Sequence, residues 1–535
     1  MTATLSFAAV RAHLLAGDEI ALVDVREEDP FAQAHPLWAA NLPLSRIELD
    51  AWRRIPRRDT LIVVYGEHGG VDLAPLAAQR LAALGYTQVR LLEGGLDGWR
   101  DAGGELFRDV NVPSKAFGEL VEHERHTPSL AAEEVKALID AKADVVVLDA
   151  RRFDEYQTMS IPTATSVPGA ELVLRVRELA PDPATRVIVN CAGRTRSIIG
   201  TQSLVNAGIP NPVAALRNGT IGWKLAGQVL DHGAARRAPE AGEANLAAAR
   251  ASAEDVARRA GVRWIAFDAL ATLEAPGRTL YRFDVRTPEE YEAGHLPGFA
   301  NAPGGQLVQE TDHQVPVRGA RIVLADDDGV RAPMTASWLA QMGWEVHVLA
   351  PQTASAYGVR GPAPAEHPAP PVVAEFTAAE LSRQLQQRVP GEIAVIDITT
   401  SASHAKRHIP GAWFAIRAQL GQALDTIPVA RLYVLTCGSS LLARFAASDL
   451  RALIDASGGG EAEIAVLAGG NAAWFAAGLP AESGLTRTAT PATDRYRRPY
   501  EGTEARAEAM QAYLDWEFGL VAQLESDGTH RFKVI

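Results

Sequence analysis

The sequence predicts an α/β protein of four tandem domains, each a mainly parallel sheet flanked by helices, followed by a C-terminal helical tail. Three observations predict it. An apolar, strand-like run ending in aspartate recurs four times, as ALVDVRE, VVVLDARR, LYRFDVRT and IAVIDITT, with Asp24, Asp149, Asp284 and Asp397. A second β-rich run follows in each copy, TLIVVYG, RVIVNCA, RIVLADD and RLYVLTCG, closing at Gly66, Cys191, Asp326 and Cys437. Aspartate and closing residue stand 42 apart in three copies and 40 in the fourth, a register chance alternation would not hold. Finally, helix-like segments alternate with strands of four to six apolar residues, the pattern of a parallel sheet.

In chain order, residues 3–112 form the first domain, opening on an amphipathic helix in MTATLSFAAVRAHLLAGDEI. Residues 126–237 form the second, and 238–260 are polar and Ala-rich, a helical linker. The third spans 261–361 and runs into a Pro/Ala-rich linker, 362–371, expected to be extended. The fourth spans 372–485. Residues 486–535 hold a Thr/Arg/Pro-rich loop and an amphipathic helix, EARAEAMQAYLDWEFGLVAQL, whose apolar spacing reads as docking on a neighbouring domain. Three copies close on a small-residue turn and a tryptophan, EGGLDGW, RNGTIGW and AGGNAAW, and Trp99, Trp223 and Trp474 read as packing residues.

Composition narrows the function classes. With 47% hydrophobic and 22% charged residues the chain is ordinary for globular domains. A net charge of -13 leaves no electrostatic footprint for nucleic acid or an anionic membrane, so any anion site must be a local basic pocket. The N-terminus lacks a signal-peptide pattern, and no run approaches the roughly 20 apolar residues of a membrane span. Two cysteines make no disulfide framework, so cytoplasm is the expected location. No spacing resembles a zinc site, a Walker loop or a dinucleotide fingerprint, so no cofactor or metal is expected.

One stretch, VIVNCAGRTRSIIG, carries the chemistry. Cys191 closes a strand just before a helix, where backbone N–H groups and the helix N-terminus point at a common anion position. That field, with Arg194 and Arg196, is expected to lower the thiol below its free value of about 8.5. No histidine accompanies it in the loop, unlike a Cys–His nucleophile pair.

On these residues the chain resembles the rhodanese (sulfurtransferase) family, in tandem to about residue 485. The matching features are DAR and DVR after the first strand, EEYEAGHLPGFANAP, SHAKRHIPGAWF, the GG…W endings and Cys-x4-Arg-Ser. The resemblance implies that Cys191 attacks the outer sulfur of a donor such as thiosulfate, becomes a persulfide, and passes sulfur to cyanide or a thiol. Backbone N–H groups of Ala192, Gly193, Arg194, Thr195, Arg196 and Ser197 would cradle the persulfide. Arg196 would bind the donor's sulfonate end with Arg194 assisting, and removing Arg196 is expected to leave the fold intact. A phosphatase or arsenate reductase on this fold would use Cys-x5-Arg, and the shorter loop disfavours that.

The other loops are degenerate. Gly66 offers no nucleophile, and Asp326 to Asp328 would repel an anionic donor. Cys437 survives in CGSSLLARF, but Leu442 replaces the arginine, leaving a possible secondary site that accepts sulfur from Cys191. Asp24, Asp149 and Asp284 are expected to pair structurally with Arg26, Arg151 and Arg286, and His35, His295 and His408 to serve a turn. The expected partners are a small sulfur-donor anion and a thiol or cyanide acceptor, with the degenerate domains as surfaces for a protein partner. The competing class is a scaffold that senses persulfide without turnover.

Overall fold

A computed structural model describes residues 2–274, 277–387, 391–457, 462–501 and 505–535. Among them four five-stranded sheets recur with one strand order, and every pairing within them is parallel. In the second domain the order is Thr165–Ser166, Val145–Asp149, Arg186–Asn190, Val213–Leu216 and Ser129–Leu130. The central strands are buried on both faces, which is why they read as continuous Val/Ile/Leu runs rather than alternating ones.

Register makes the repeat physical. Asp24 pairs with Tyr65, Asp149 with Asn190, Asp284 with Ala325 and Asp397 with Thr436. Gly66, Cys191, Asp326 and Cys437 therefore occupy one equivalent position, the first residue past the carboxyl end of a central strand. In three domains the aspartate is gripped by the arginine two residues on, Arg26, Arg151 or Arg286, which also donates to a backbone carbonyl eight residues ahead. The fourth lacks that arginine, and buried His404 takes its place with Nδ1 2.9 Å from Asp397. Trp99, Trp223 and Trp474 are buried, and each donates its indole N–H to the carbonyl six residues on.

The segments between and after the repeats tie the domains together. Helix Glu243–Arg259 buries Ala249, Ala253 and Val256, small side chains that let it lie close against the second and third domains. The predicted tail helix is two, Ala507–Phe518 and Leu520–Asp527, meeting at Gly519. Beyond them Phe532 enters an aromatic cluster with Trp38 and Phe117. Among the described residues no helix is long and apolar enough to cross a membrane.

Candidate active site

The second-domain loop is built by its backing helix as much as by its own residues. Strand Arg186–Asn190 delivers Cys191, and helix Thr195–Asn206 begins four residues later. Behind the loop, Thr220 N–H donates to Cys191 O at 2.9 Å and Ile221 N–H to Ala192 O at 3.0 Å. Those bonds hold the loop carbonyls away from the loop's centre. Gly219, at φ +53°, is required there, because a Cβ would sit 2.3 Å from Cys191 O. The Asn-Gly of RNGTIGW thus shapes the nucleophile loop, as Gly470 does behind Cys437.

Cys191 is 2% exposed, with Sγ 3.4 Å from Ser197 Oγ, which itself donates to Arg194 O at 2.8 Å. Burial pushes the thiol up, while Arg196 and Ser197 pull it down. Burial wins, so the expected depression of this thiol is not found in this conformation. A thiolate here depends on Arg196 and on the loop amides.

Both loop arginines are buried and ion-paired rather than free. Arg196 donates to both Glu155 oxygens, at 2.7 and 2.8 Å, a bidentate pair only 10% exposed on the arginine side. Burial would raise the Glu155 carboxyl, yet Arg196, helped by Arg151 and Arg152, holds it down at about 2. Arg194 turns the other way. It grips Glu119 at 2.7 and 2.8 Å, contacts Glu122, donates to Asn218 at 3.1 Å and stacks 4.2 Å from the Phe518 ring centroid. Its guanidinium ties the loop to helix Val112–Arg125 and the tail, so the assisting role expected for it in donor binding has no support in the geometry. Thr195 packs its backbone and methyl against Gly118 of that helix.

Sequence reasoning missed what covers the loop. Tyr513 and Glu517 of the tail helix lie over Gly193, where a Cβ would meet them at 3.2 and 3.4 Å. Glu517 is fully buried, takes the Tyr513 hydroxyl hydrogen bond at 2.8 Å, and has one oxygen without a partner. Burial pushes its carboxyl up to about 8, against the pull of Lys115. Lys115, paired to Asp109 at 2.6 Å, sits 5.0 to 5.8 Å from the ring centroids of Tyr500, Tyr513 and Trp516. Beside Arg196 opens a cavity of about 340 Å³, whose walls include Arg151, Arg495, Arg498 and Tyr500; Cys191 does not line it. None of the tail residues belongs to the repeat, so no register marked them. Glu155 was legible in principle, since Glu290 stands at the same place in the third copy.

Comparison of the four loops isolates what is special to the second. Arg331 of the third domain grips Glu290 at 2.6 and 2.9 Å, the counterpart of Arg196–Glu155, although Asp326 stands where the cysteine would be. Asp326 accepts N–H bonds from Gly329 and Ala332, and burial beside Asp328 pushes its carboxyl well up. In the first domain the loop becomes a small antiparallel hairpin, Glu67–His68 against Val71–Asp72. Cys437 lines a cleft of about 510 Å³ between the fourth and first domains. The arginines on its wall are engaged elsewhere, Arg417 with Glu48 and Asp449 and Arg46 with Asp50, and Arg444 of the CGSSLLARF stretch contacts Glu375.

The rhodanese-like domain family matches residues 7–102, 131–226, 268–351 and 377–477, together more than half of the chain. The chain belongs to the rhodanese family. A crystal structure of thiosulfate sulfurtransferase from Pseudomonas aeruginosa is 63% identical over 100% of both chains, with a TM-score of 0.96. An HTH-type transcriptional regulator of Mycobacterium tuberculosis is 32% identical over 91 residues, a match covering 17% of this rhodanese and 39% of that relative.

Proposed function

We propose that this rhodanese is a sulfurtransferase that carries sulfane sulfur on Cys191, from a donor such as thiosulfate to cyanide or a small thiol. The observation that carries the reading is the second loop itself. Among the four it alone joins a strand-end thiol to a buried arginine–glutamate pair and a glycine-backed turn. The full-length likeness to a thiosulfate sulfurtransferase supports the same chemistry.

In the first half-reaction the Cys191 thiolate attacks the donor's outer sulfur. The new S–S bond forms as the donor's S–S bond breaks, and sulfite leaves with the electron pair. In the second, the acceptor attacks the outer sulfur of the persulfide and the Cys191 thiolate departs. Nothing in either step requires a general base once the thiolate exists. Positive charge beside the sulfur stabilises thiolate and leaving sulfite alike, and Arg196 supplies it in part, offset by its partner Glu155. Coverage of the loop by Tyr513 and Glu517 supports a small acceptor rather than a protein thiol.

Thiocyanate formation from thiosulfate and cyanide tests the reading. Wild type is expected to turn over, Cys191→Ser to be inactive, and donor-treated protein to gain one sulfur atom on the Cys191 peptide. If wild type does no better than Cys191→Ser while still taking up sulfur, the persulfide-sensing scaffold replaces the enzyme.

A further inference from the structure

We propose that Glu517, on the tail helix Ala507–Phe518, is a positioning residue for Cys191: it holds a proton over the nucleophile loop, and loss of that proton limits how readily the thiolate forms. The inference rests on the reading of Cys191 as the sulfur carrier and adds to it a residue from outside the repeat.

The geometry shows which oxygen faces the loop. Glu517 Oε1 takes the Tyr513 hydroxyl hydrogen bond at 2.8 Å, and Oε2 is the oxygen turned to Gly193, 3.4 Å from where a Cβ would stand. Oε2 is buried and has no partner among the described residues. A carboxylate so placed has lost its water without gaining a donor, which favours the protonated form. Because Gly193 has no side chain, the carboxyl lies this close to the loop, two residues from the thiol.

The charges around Glu517 are already matched. From helix Val112–Arg125, Lys115 pairs with Asp109 at 2.6 Å, and Glu119 takes Arg194 of the loop at 2.7 and 2.8 Å. Glu122 shares that arginine, and Arg196, nearer the thiol, is held by Glu155. Tyr513 and Tyr500 face the same space as neutral phenols, since burial pushes both hydroxyls up. Lys115 and Arg194 thus stand against Asp109, Glu119 and Glu122 before Glu517 is counted. An ionised Glu517 would add negative charge without a counter-ion, and a Cys191 thiolate would add more. Burial first, and then the charge of Glu517, push the Cys191 thiol up, against Arg196 and Ser197. Such coupling is reciprocal, so each ionisation opposes the other. The Glu517 carboxyl titrates at about 8. Below that pH the neutral acid leaves sulfur to carry the negative charge, and the thiolate fraction grows about tenfold per pH unit. Above it, Glu517 carries the charge instead and the thiolate fraction levels off.

Iodoacetamide labelling of the full chain, read on the Cys191 peptide by mass spectrometry between about pH 6 and about pH 9.5, tests the coupling apart from turnover. In wild type the rate is expected to rise with pH and break to a plateau at about 8. Glu517→Gln keeps the shape and removes the charge. Its profile should match wild type below about pH 7 and go on rising, to become about three- to tenfold faster at about pH 9. Tyr513→Phe takes away a hydrogen bond that favours the Glu517 carboxylate, so the break should move to higher pH. Superimposed wild-type and Glu517→Gln profiles overturn the inference, as does a Tyr513→Phe break that stays in place or moves down. Should Glu517→Gln fail to fold, Tyr513→Phe decides alone. Failure of the sulfurtransferase reading would show differently, as absent thiocyanate formation with the two labelling profiles still diverging.

Discussion

Replacing Arg196 separates a structural arginine from a chemical one, because its ion pair is buried. In Arg196→Ala the Glu155 carboxylate loses both charge-assisted hydrogen bonds and stays in a site that burial makes hostile to charge. Breaking a fully buried pair from one side costs about 3–5 kcal/mol; with a quarter of the Glu155 side chain exposed, the cost here should be about 2–3 kcal/mol. An exposed loop arginine would have cost about 1 kcal/mol or less, which is what the sequence alone led us to expect. The pair Arg196→Met/Glu155→Gln removes both charges and is expected to recover most of that loss, leaving turnover depressed. Arg331→Ala is the internal control. It breaks the equivalent pair with Glu290, together with contacts to Asp327 and Asp328, in a domain without a thiol, so it should cost at least as much stability and leave turnover unchanged. Four domains need not unfold together, so urea denaturation is best followed by hydrogen exchange of the strand Arg186–Asn190 and the strand Arg321–Ala325 separately. An Arg196→Ala variant within about 1 kcal/mol of wild type would refute the reasoning. So would a double variant no more stable than the single one.

Three further outcomes follow from the same geometry. Gly219→Ala places a Cβ 2.3 Å from Cys191 O at a positive φ and should lower turnover at least about tenfold, whereas Gly470→Ala, clashing with Cys437 O, should not; equal effects on thiocyanate formation would dissolve the link to Cys191. Glu517 titrates near 8 when folded against 4.5 as its ordinary value, so between those pH values the native state holds a proton the unfolded chain has lost. Stability should therefore fall as pH rises through that window, by at most about 1.4 kcal/mol per pH unit from this group. Glu517→Gln should flatten the slope in denaturation curves, and an unchanged slope would show that Glu517 is not the group responsible. Cys437→Ser should leave both turnover and the sulfur on Cys191 intact, and a drop in steady-state rate would instead make Cys437 part of the relay.

Much of this protein follows from local pattern. Buried parallel strands must be apolar along their whole length, so runs such as VVVLD and RVIVN announced themselves, and the fixed interval from Asp149 to Cys191 placed the thiol at a strand end. Loop composition likewise separated the second copy from its glycine, aspartate and arginine-less sisters. What pattern could not supply was partnership. Arg194 and Arg196 look alike in CAGRTRS, yet one turns to Glu119 and Glu122 and the other to Glu155. A guanidinium is satisfied by whichever carboxylate the packing brings within hydrogen-bond reach, and that carboxylate lies tens of residues away. The tail is the extreme case: its Met, Tyr, Leu and Trp spacing showed only that one face is buried. Which surface it buries, and that Glu517 thereby lands over Gly193, is set by how domains and tail close on one another. Periodicity records that a side chain is inside; only the tertiary structure decides beside what, and there the ionisation of Cys191, Glu155 and Glu517 is determined.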